Sequence, residues 1–191
     1  MMRWLLLLFG GALLGGIVHL ATVMALPRTA THDAYSRLAG AAPVNSVAAL
    51  PAPTPTPENA PMPFMDPAFV SAVCRYDLTD GPLKLTVPVG PAYTSVSFYT
   101  RFDVAYYAIN DRAAGRRVIE LDLMTAAQRN QMPEDEDVTA ADRLIVESPT
   151  PTGLIAIRAL APQPGQMPTA RASLAGARCE RTQIPKAASN Q

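Results

Sequence analysis

The side chains able to do acid–base or metal chemistry are few and poorly placed for it. Both histidines, His19 and His32, precede the stretch that reads as the folded domain, which excludes a Ser–His or Cys–His pair inside that domain. No Gly-x-Ser-x-Gly elbow, phosphate-binding loop or His-Glu-x-x-His helix occurs. The carboxylates Asp77, Asp103 and Asp111 would serve general acid–base catalysis only if the fold brought them into one cleft. The run Glu134-Asp135-Glu136-Asp137 is consecutive and lacks the glycine and alternating ligands of a hard-cation loop, so it reads as a solvated acidic loop; no metal or cofactor is expected. Arg112, Arg116 and Arg117 surround Gly115, where they could meet a carboxylate or phosphate or simply form a solvated turn. Tyr76, Tyr93, Tyr99, Tyr106 and Tyr107 offer faces suited to a glycan or a small apolar ligand, or to packing at a sheet edge.

The two cysteines, Cys74 and Cys179, are 105 residues apart. An even count in an exported chain points to a disulfide, and a loop of that size would stabilise by up to about 4.7 kcal/mol in the chain-entropy account. Two buried free thiols are the alternative. A bridge would fasten the C-terminal helix to the first strand.

These residues need elements to position them, and the first element is apolar. Trp4 to Leu26 carry no charge, and His19 is the strongly polar member. As a helix the run is about 34 Å long, enough to cross a hydrocarbon core of about 30 Å. It reads as a signal-anchor, with residues 1–28 as a transmembrane segment; the alternative is a cleaved signal peptide with Val23-Met24-Ala25 at its site. Flanking charge is balanced between Arg3 and Arg28 with Arg37, so orientation rests on the short basic start and the cysteines. Both place the rest of the chain outside: a single-pass protein of the bacterial inner membrane, its C-terminal domain in the periplasm. Gly11, Gly15 and His19 share one helix face and could pack against a second membrane helix.

Residues 29–66 read as a juxtamembrane segment and linker. Thr31 to Leu38 could form a short helix, and Pro51-Ala52-Pro53-Thr54-Pro55-Thr56-Pro57 excludes helix and sheet interior in favour of an extended polyproline spacer. Residues 67–182 then alternate with period two. Leu83, Leu85 and Val87, Val96 and Phe98, and Ile119, Leu121 and Leu123 mark half-buried strands. Val104–Ile109, Leu144–Glu147 and Leu154–Leu160 are further strands. Asp80-Gly81 signals a hairpin and Asn110-Asp111 a turn. Thr125 with Gln128 makes a capping box opening a short helix, and Pro168 opens a second to about Arg178. The fold expected is mainly β, a small antiparallel, sandwich-like domain with two short helices, followed by a disordered tail at 183–191. Sixteen basic and sixteen acidic side chains, scattered, argue against a nucleic-acid partner.

The stretch Cys74-Arg-Tyr-Asp-Leu-Thr-Asp-Gly-Pro-Leu-Lys-Leu-Thr-Val-Pro88, with Tyr93-Thr-Ser-Val-Ser-Phe-Tyr99 and Tyr107-Ala-Ile-Asn110, resembles the bacterial domain-of-unknown-function family numbered 1254. The resemblance covers roughly Phe64 to Cys179, and the anchor is similar to that of short alphaproteobacterial members. Its motifs describe strands and turns, so no catalytic residue follows from them. In longer relatives this domain precedes a second, numbered 1214, and the chain ends soon after Cys179. The resemblance therefore implies a partner chain carrying the companion domain. The anchor, the proline-rich stalk and the lack of a catalytic constellation point to a membrane-anchored envelope protein acting as a non-catalytic interaction domain. The alternatives are a glycan- or small-apolar-ligand-binding β domain and, third, an enzyme built on carboxylates.

Overall fold

A computed structural model describes residues 2–29, 33–53, 62, 65–115, 117–132 and 144–182. His32, Arg116, the acidic run Glu134 to Asp137, Thr54 to Pro57 of the proline alternation and the tail 183–191 lie outside the described residues. The chain divides into two units, residues 1–33 and 34–191.

The first unit is helix α1, Met2–Thr29, with Arg3 and Arg28 as its charged residues, one at each end. None of its residues is buried, and apolar side chains line every side. By length and composition α1 can cross a membrane, a property that signal sequences near an N-terminus share. Gly11 and Gly15 face open space, and His19 lies on the same face one turn on.

The second unit is mainly β. In chain order it contains α2 (Ala34–Arg37), a 3-10 turn (Leu38–Gly40), β1 (Val47–Ala49), β2 (Phe69–Asp77), β3 (Leu83–Pro88), β4 (Thr94–Thr100), β5 (Ala105–Asn110), α3 (Asp111–Ala114), β6 (Val118–Thr125), α4 (Ala126–Arg129), β7 (Leu144–Ser148), β8 (Thr152–Leu160), a 3-10 turn (Pro164–Gln166), α5 (Met167–Ala175) and β9 (Arg178–Arg181). Strands β1-β2-β8-β4-β5 form an antiparallel five-stranded sheet, and β7-β6-β3-β9 a four-stranded one. The alternation read from the sequence turns one set of side chains inward from each sheet. Val70, Ala72, Cys74 and Tyr76 of β2, Val96 and Phe98 of β4, and Ile155 and Ile157 of β8 meet Leu83, Leu85 and Val87 of β3 and Ile119, Leu121 and Leu123 of β6. Leu174 and Ala170 of α5 join the same core.

Four local expectations are corrected within this mainly β frame. The Asp80-Gly81 turn does not close a hairpin: β2 and β3 belong to different sheets, so it carries the chain across the sandwich, with Gly81 at φ 144°. Its chemistry specifies a positive φ, and that serves a crossover as well as a hairpin. Asn110-Asp111 likewise leads from one sheet to the other, the Asn110 side chain accepting a bond from the Ala113 amide to open α3. The sheets are not wholly antiparallel, since β7 runs parallel to β6. Cys179 sits on β9 rather than on the C-terminal helix, which ends at Ala175. The capping box appears as read: the Thr125 hydroxyl accepts from the Gln128 amide, and the Gln128 carboxamide accepts from the Thr125 amide at 2.9 Å.

Residues 34–50, which the sequence reading groups with the linker, lie on the outer face of the five-stranded sheet. Leu38 and Ala42 are buried there against Val73 and Leu154, with Tyr35, Ala48, Leu50 and Tyr99 around them. β1 adds its three residues to the edge of β2.

Candidate functional site

The tyrosines disperse. Tyr76 is fully buried between the sheets, and its hydroxyl lies 3.1 Å from the Tyr99 carbonyl, 3.2 Å from the Tyr106 hydroxyl and 2.9 Å from Ser148 Oγ. The Ser148 hydroxyl donates to the Thr150 carbonyl at 2.6 Å. Three hydroxyls and two carbonyls, drawn from β2, β4, β5, β7 and the turn after β7, thus close a polar knot joining the two sheets at one end. Burial first, then the neighbouring Tyr76 phenol, drives the Tyr106 pKa far above the ordinary tyrosine range, so the phenol is neutral. Tyr106 and Tyr107 both lean on Phe98, with ring centroids 6.1 and 5.7 Å away. Tyr99 packs on the outer cluster, and Tyr93 is exposed at the far end of β4.

On the outer face the 34–50 segment is held by a stack. The guanidinium carbon of Arg75 lies 4.3 Å from the centre of the Tyr35 ring, and that of Arg101 lies 4.6 Å from it. Arg75 also donates to the Ala42 carbonyl at 3.3 Å. Asn45, at φ 56°, exchanges side-chain bonds with the Asp77 backbone, donating to its carbonyl and accepting from its amide. The hairpin between β4 and β5 ends beside this segment. The Asp103 carboxylate accepts from the Ala34 amide at 3.1 Å. Asp103 has φ 60°, and the Thr100 hydroxyl accepts from the amides of Phe102 and Val104, which fixes the tip. Phe102 (37 % exposed) and Val104 (54 %) project from it.

The carboxylates are engaged locally. Asp77 accepts from the Thr79 amide and hydroxyl, and the hydroxyl bond above all holds its pKa below the usual carboxylate value. Asp103 binds Ala34, and Asp111, in the first turn of α3, is separated from Asp103 by the whole length of β5. Arg112 lies on α3, and Arg117 uses its carbonyl to accept from Val89. Among the described residues no three His, Cys, Asp or Glu side chains gather. Cys74 and Cys179 are bonded, both within the core, and join β2 of one sheet to β9 of the other.

A shallow cleft of about 190 Å³ lies where α5 closes the end of the sandwich, lined by Gly90, Pro91, Ala92, Leu160, Thr169 and Ser173 among others. None of the five tyrosines lines it, and it is smaller than the roughly 300 Å³ at which small-molecule sites begin. Sequence reasoning missed Tyr35, Arg75, Arg101, Phe102 and Val104. One signal was available: Arg75 falls on a strand face that should meet water, yet the neighbouring outward residues Val73 and Leu154 are apolar, the mark of a face that something covers.

No curated protein matches the chain. Solved structures similar to the chain include two. One is the VPA0106 protein from Vibrio parahaemolyticus, 12% identical, TM-score 0.58, with 83% of this chain covering 38% of that one. The other is a putative uncharacterized protein from Burkholderia cenocepacia, 13% identical, TM-score 0.48, with 74% of this chain covering 36% of that one. The chain thus spans under two fifths of the length of each. Residues 44–181 match the family described as "Protein of unknown function (DUF1254)", from the strand-entry segment at Val44 to the end of β9. With the matched region taking in both sheets and the disulfide that joins them, the chain belongs to the DUF1254 family.

Proposed function

We propose that the chain is an envelope-anchored interaction module. α1 is retained as a signal-anchor in the bacterial inner membrane, and the β domain works in the periplasm by binding a partner protein at the membrane surface. The observation that carries this reading is the combination, in one chain, of an apolar 28-residue helix and a β domain closed by a buried disulfide. Disulfides persist in oxidising compartments, and an apolar helix of this length holds the rest of its chain at a membrane. A second observation points to the partner. In the VPA0106 protein the same fold is less than two fifths of a longer chain, so a domain of this kind is at home beside further polypeptide. The partner proposed is a chain carrying the companion domain. On α1, Gly11, Gly15 and His19 form the face that a partner's membrane helix would meet.

The test is affinity capture of the tagged full chain from detergent-solubilised membranes, with the partner identified by mass spectrometry. A second chain co-purifying in fixed ratio supports the reading; recovery of the chain alone, always monomeric, overturns it.

A further inference from the structure

We infer that β5 pairs with the β5 strand of a second copy of this chain, antiparallel about a two-fold axis at Ala108, joining two five-stranded sheets into one. β5 is the end strand of its sheet, and among the described residues no strand pairs with its other side. The bonding phase of the sheet fixes which peptide groups face that side. The Leu160 amide donates to the Tyr93 carbonyl at 2.8 Å, so Tyr93, Ser95 and Ser97 turn their backbone groups towards β8. Val96 and Phe98 then turn theirs towards β5, in phase with the Thr100 amide, which donates to the Val104 carbonyl at 2.9 Å. Their register partners are Ile109 and Tyr107, which therefore bond to β4. Ala108, between them, directs its amide and carbonyl off the edge of the sheet.

Sheet edges are commonly blunted by charge, proline or brevity. β1, at the opposite edge of the same sheet, has three residues, and β9 exposes Arg178, Glu180 and Arg181 along its edge. β5 reads Ala-Tyr-Tyr-Ala-Ile-Asn, six residues with neither charge nor proline. A strand laid along it has to match that lack of charge and fit between the turn at Asp103 and helix α3. β5 itself meets both conditions. The pairing is also self-complementary. With Ala108 opposite Ala108 of the second copy, two amide–carbonyl bonds close at the axis, and the outer face there holds only two methyl groups. One residue to either side, Tyr107 of each copy stands opposite Ile109 of the other, in the closer of the two antiparallel pair types. Both side chains are half-buried at the margin of the core, and an aromatic beside a β-branched residue is a favourable cross-strand pair. A shift of one residue would set core-facing side chains against outward-facing ones.

The experiment uses the full chain in detergent micelles, its association followed by sedimentation over a range of concentrations. Ser97→Cys, one strand in from the edge, carries a nitroxide; the native cysteines are bonded to each other, so this thiol is the single one labelled. The expected result is a dimer whose labels lie about 14 Å apart, three interstrand spacings. Ala108→Pro removes an amide that β4 does not use, and Ala108→Lys sets two like charges face to face at an exposed position. Each should weaken the dimer about tenfold or more and abolish the dipolar coupling, with the urea midpoint of the domain unchanged. If the proline variant fails to fold, the lysine variant carries the test. A monomer at every concentration overturns the inference. So does a dimer without coupling at position 97, which associates elsewhere, and a dimer that survives both substitutions. Capture of a different chain that Ala108→Lys releases means that the edge takes a foreign strand, and this also overturns the pairing of two copies.

Discussion

The Tyr76 hydroxyl occupies the space where a side chain at position 153 would begin. Tyr76 and Gly153 are register partners across β2 and β8, and a Cβ at 153 would overlap both the Tyr76 phenol and the Tyr99 carbonyl oxygen. Glycine is needed here for close approach rather than for an unusual φ. Gly153→Ala is expected to destabilise the domain by about 1–3 kcal/mol or more, because β8 lies between β2 and β4 and has nowhere to retreat. Tyr76→Phe should not rescue it, since the ring carbon and the Tyr99 carbonyl still obstruct the methyl group. Urea unfolding of the two single variants and the double variant checks this; full rescue by Tyr76→Phe would contradict the geometry.

The same pair shows what local pattern can and cannot convey. The alternation in β3, β4 and β6 locates the inner face of each strand, because side-chain period follows from backbone geometry alone. The Thr125–Gln128 box is legible for the same reason: both partners lie within four residues. The Gly153–Tyr76 contact joins residues 77 positions apart, and no short window contains it. Neither could the sequence show that Asp80-Gly81 crosses between sheets, since turn chemistry sets a φ value and not the destination of the next strand. The short connection between the adjacent antiparallel strands β4 and β5 lacks glycine altogether. Asp103 takes the left-handed conformation there, supported by Thr100 and by the distant Ala34 amide. The outer-face residues were equally hidden, because Tyr35 is covered by arginines from β2 and from the hairpin tip, far along the chain.

Tyr106 links the polar knot to pH. Its folded pKa is raised, by burial first, above the value of about 10 in the unfolded chain. The fold therefore favours the neutral phenol, and the stability this represents is fully present below about pH 10 and lost as pH rises beyond it. Tyr106→Phe removes the bond to Tyr76, costing about 1 kcal/mol at neutral pH. It also removes the titrating group, so the gap between variant and native protein should narrow in alkali. Unfolding midpoints across the neutral-to-alkaline range, with phenolate absorbance as a second reading, test this. Parallel curves would show that Tyr106 is not the group responsible.

Tyr35 decides whether the outer-face segment stays down. Two guanidiniums over one ring contribute about 0.5–1 kcal/mol each at a partly exposed site. Tyr35→Ala should therefore raise local opening of residues 34–50 about tenfold without unfolding the sandwich. Hydrogen exchange reads this directly. The Asn45 and Leu50 amides, bonded to the Arg75 and Ser71 carbonyls, should lose protection, whereas Val96 and Ile157 within the sheet should not. Equal loss at all four would mean that the segment and the sandwich open together.

The Cys74–Cys179 bond should matter for both stability and compartment. It joins the inner faces of the two sheets and closes a separation of 105 residues. Its removal as the Cys74→Ser, Cys179→Ser double variant is expected to cost about 2–5 kcal/mol, through the larger freedom of the unfolded chain and the burial of two hydroxyls in an apolar core. The Cys74→Ala, Cys179→Ala double variant separates these causes, because it loses the same covalent constraint without burying a polar group. If alanine is nearly as costly as serine, the constraint dominates; if it is far milder, desolvation does. The compartment is tested on the native pair, by adding a membrane-permeant thiol reagent under denaturing conditions with and without prior reduction. In cells quenched with acid, a chain exposed to the periplasm should label only after reduction. Labelling without reduction would place the cysteines in a reducing compartment and overturn the exported topology proposed for the β domain.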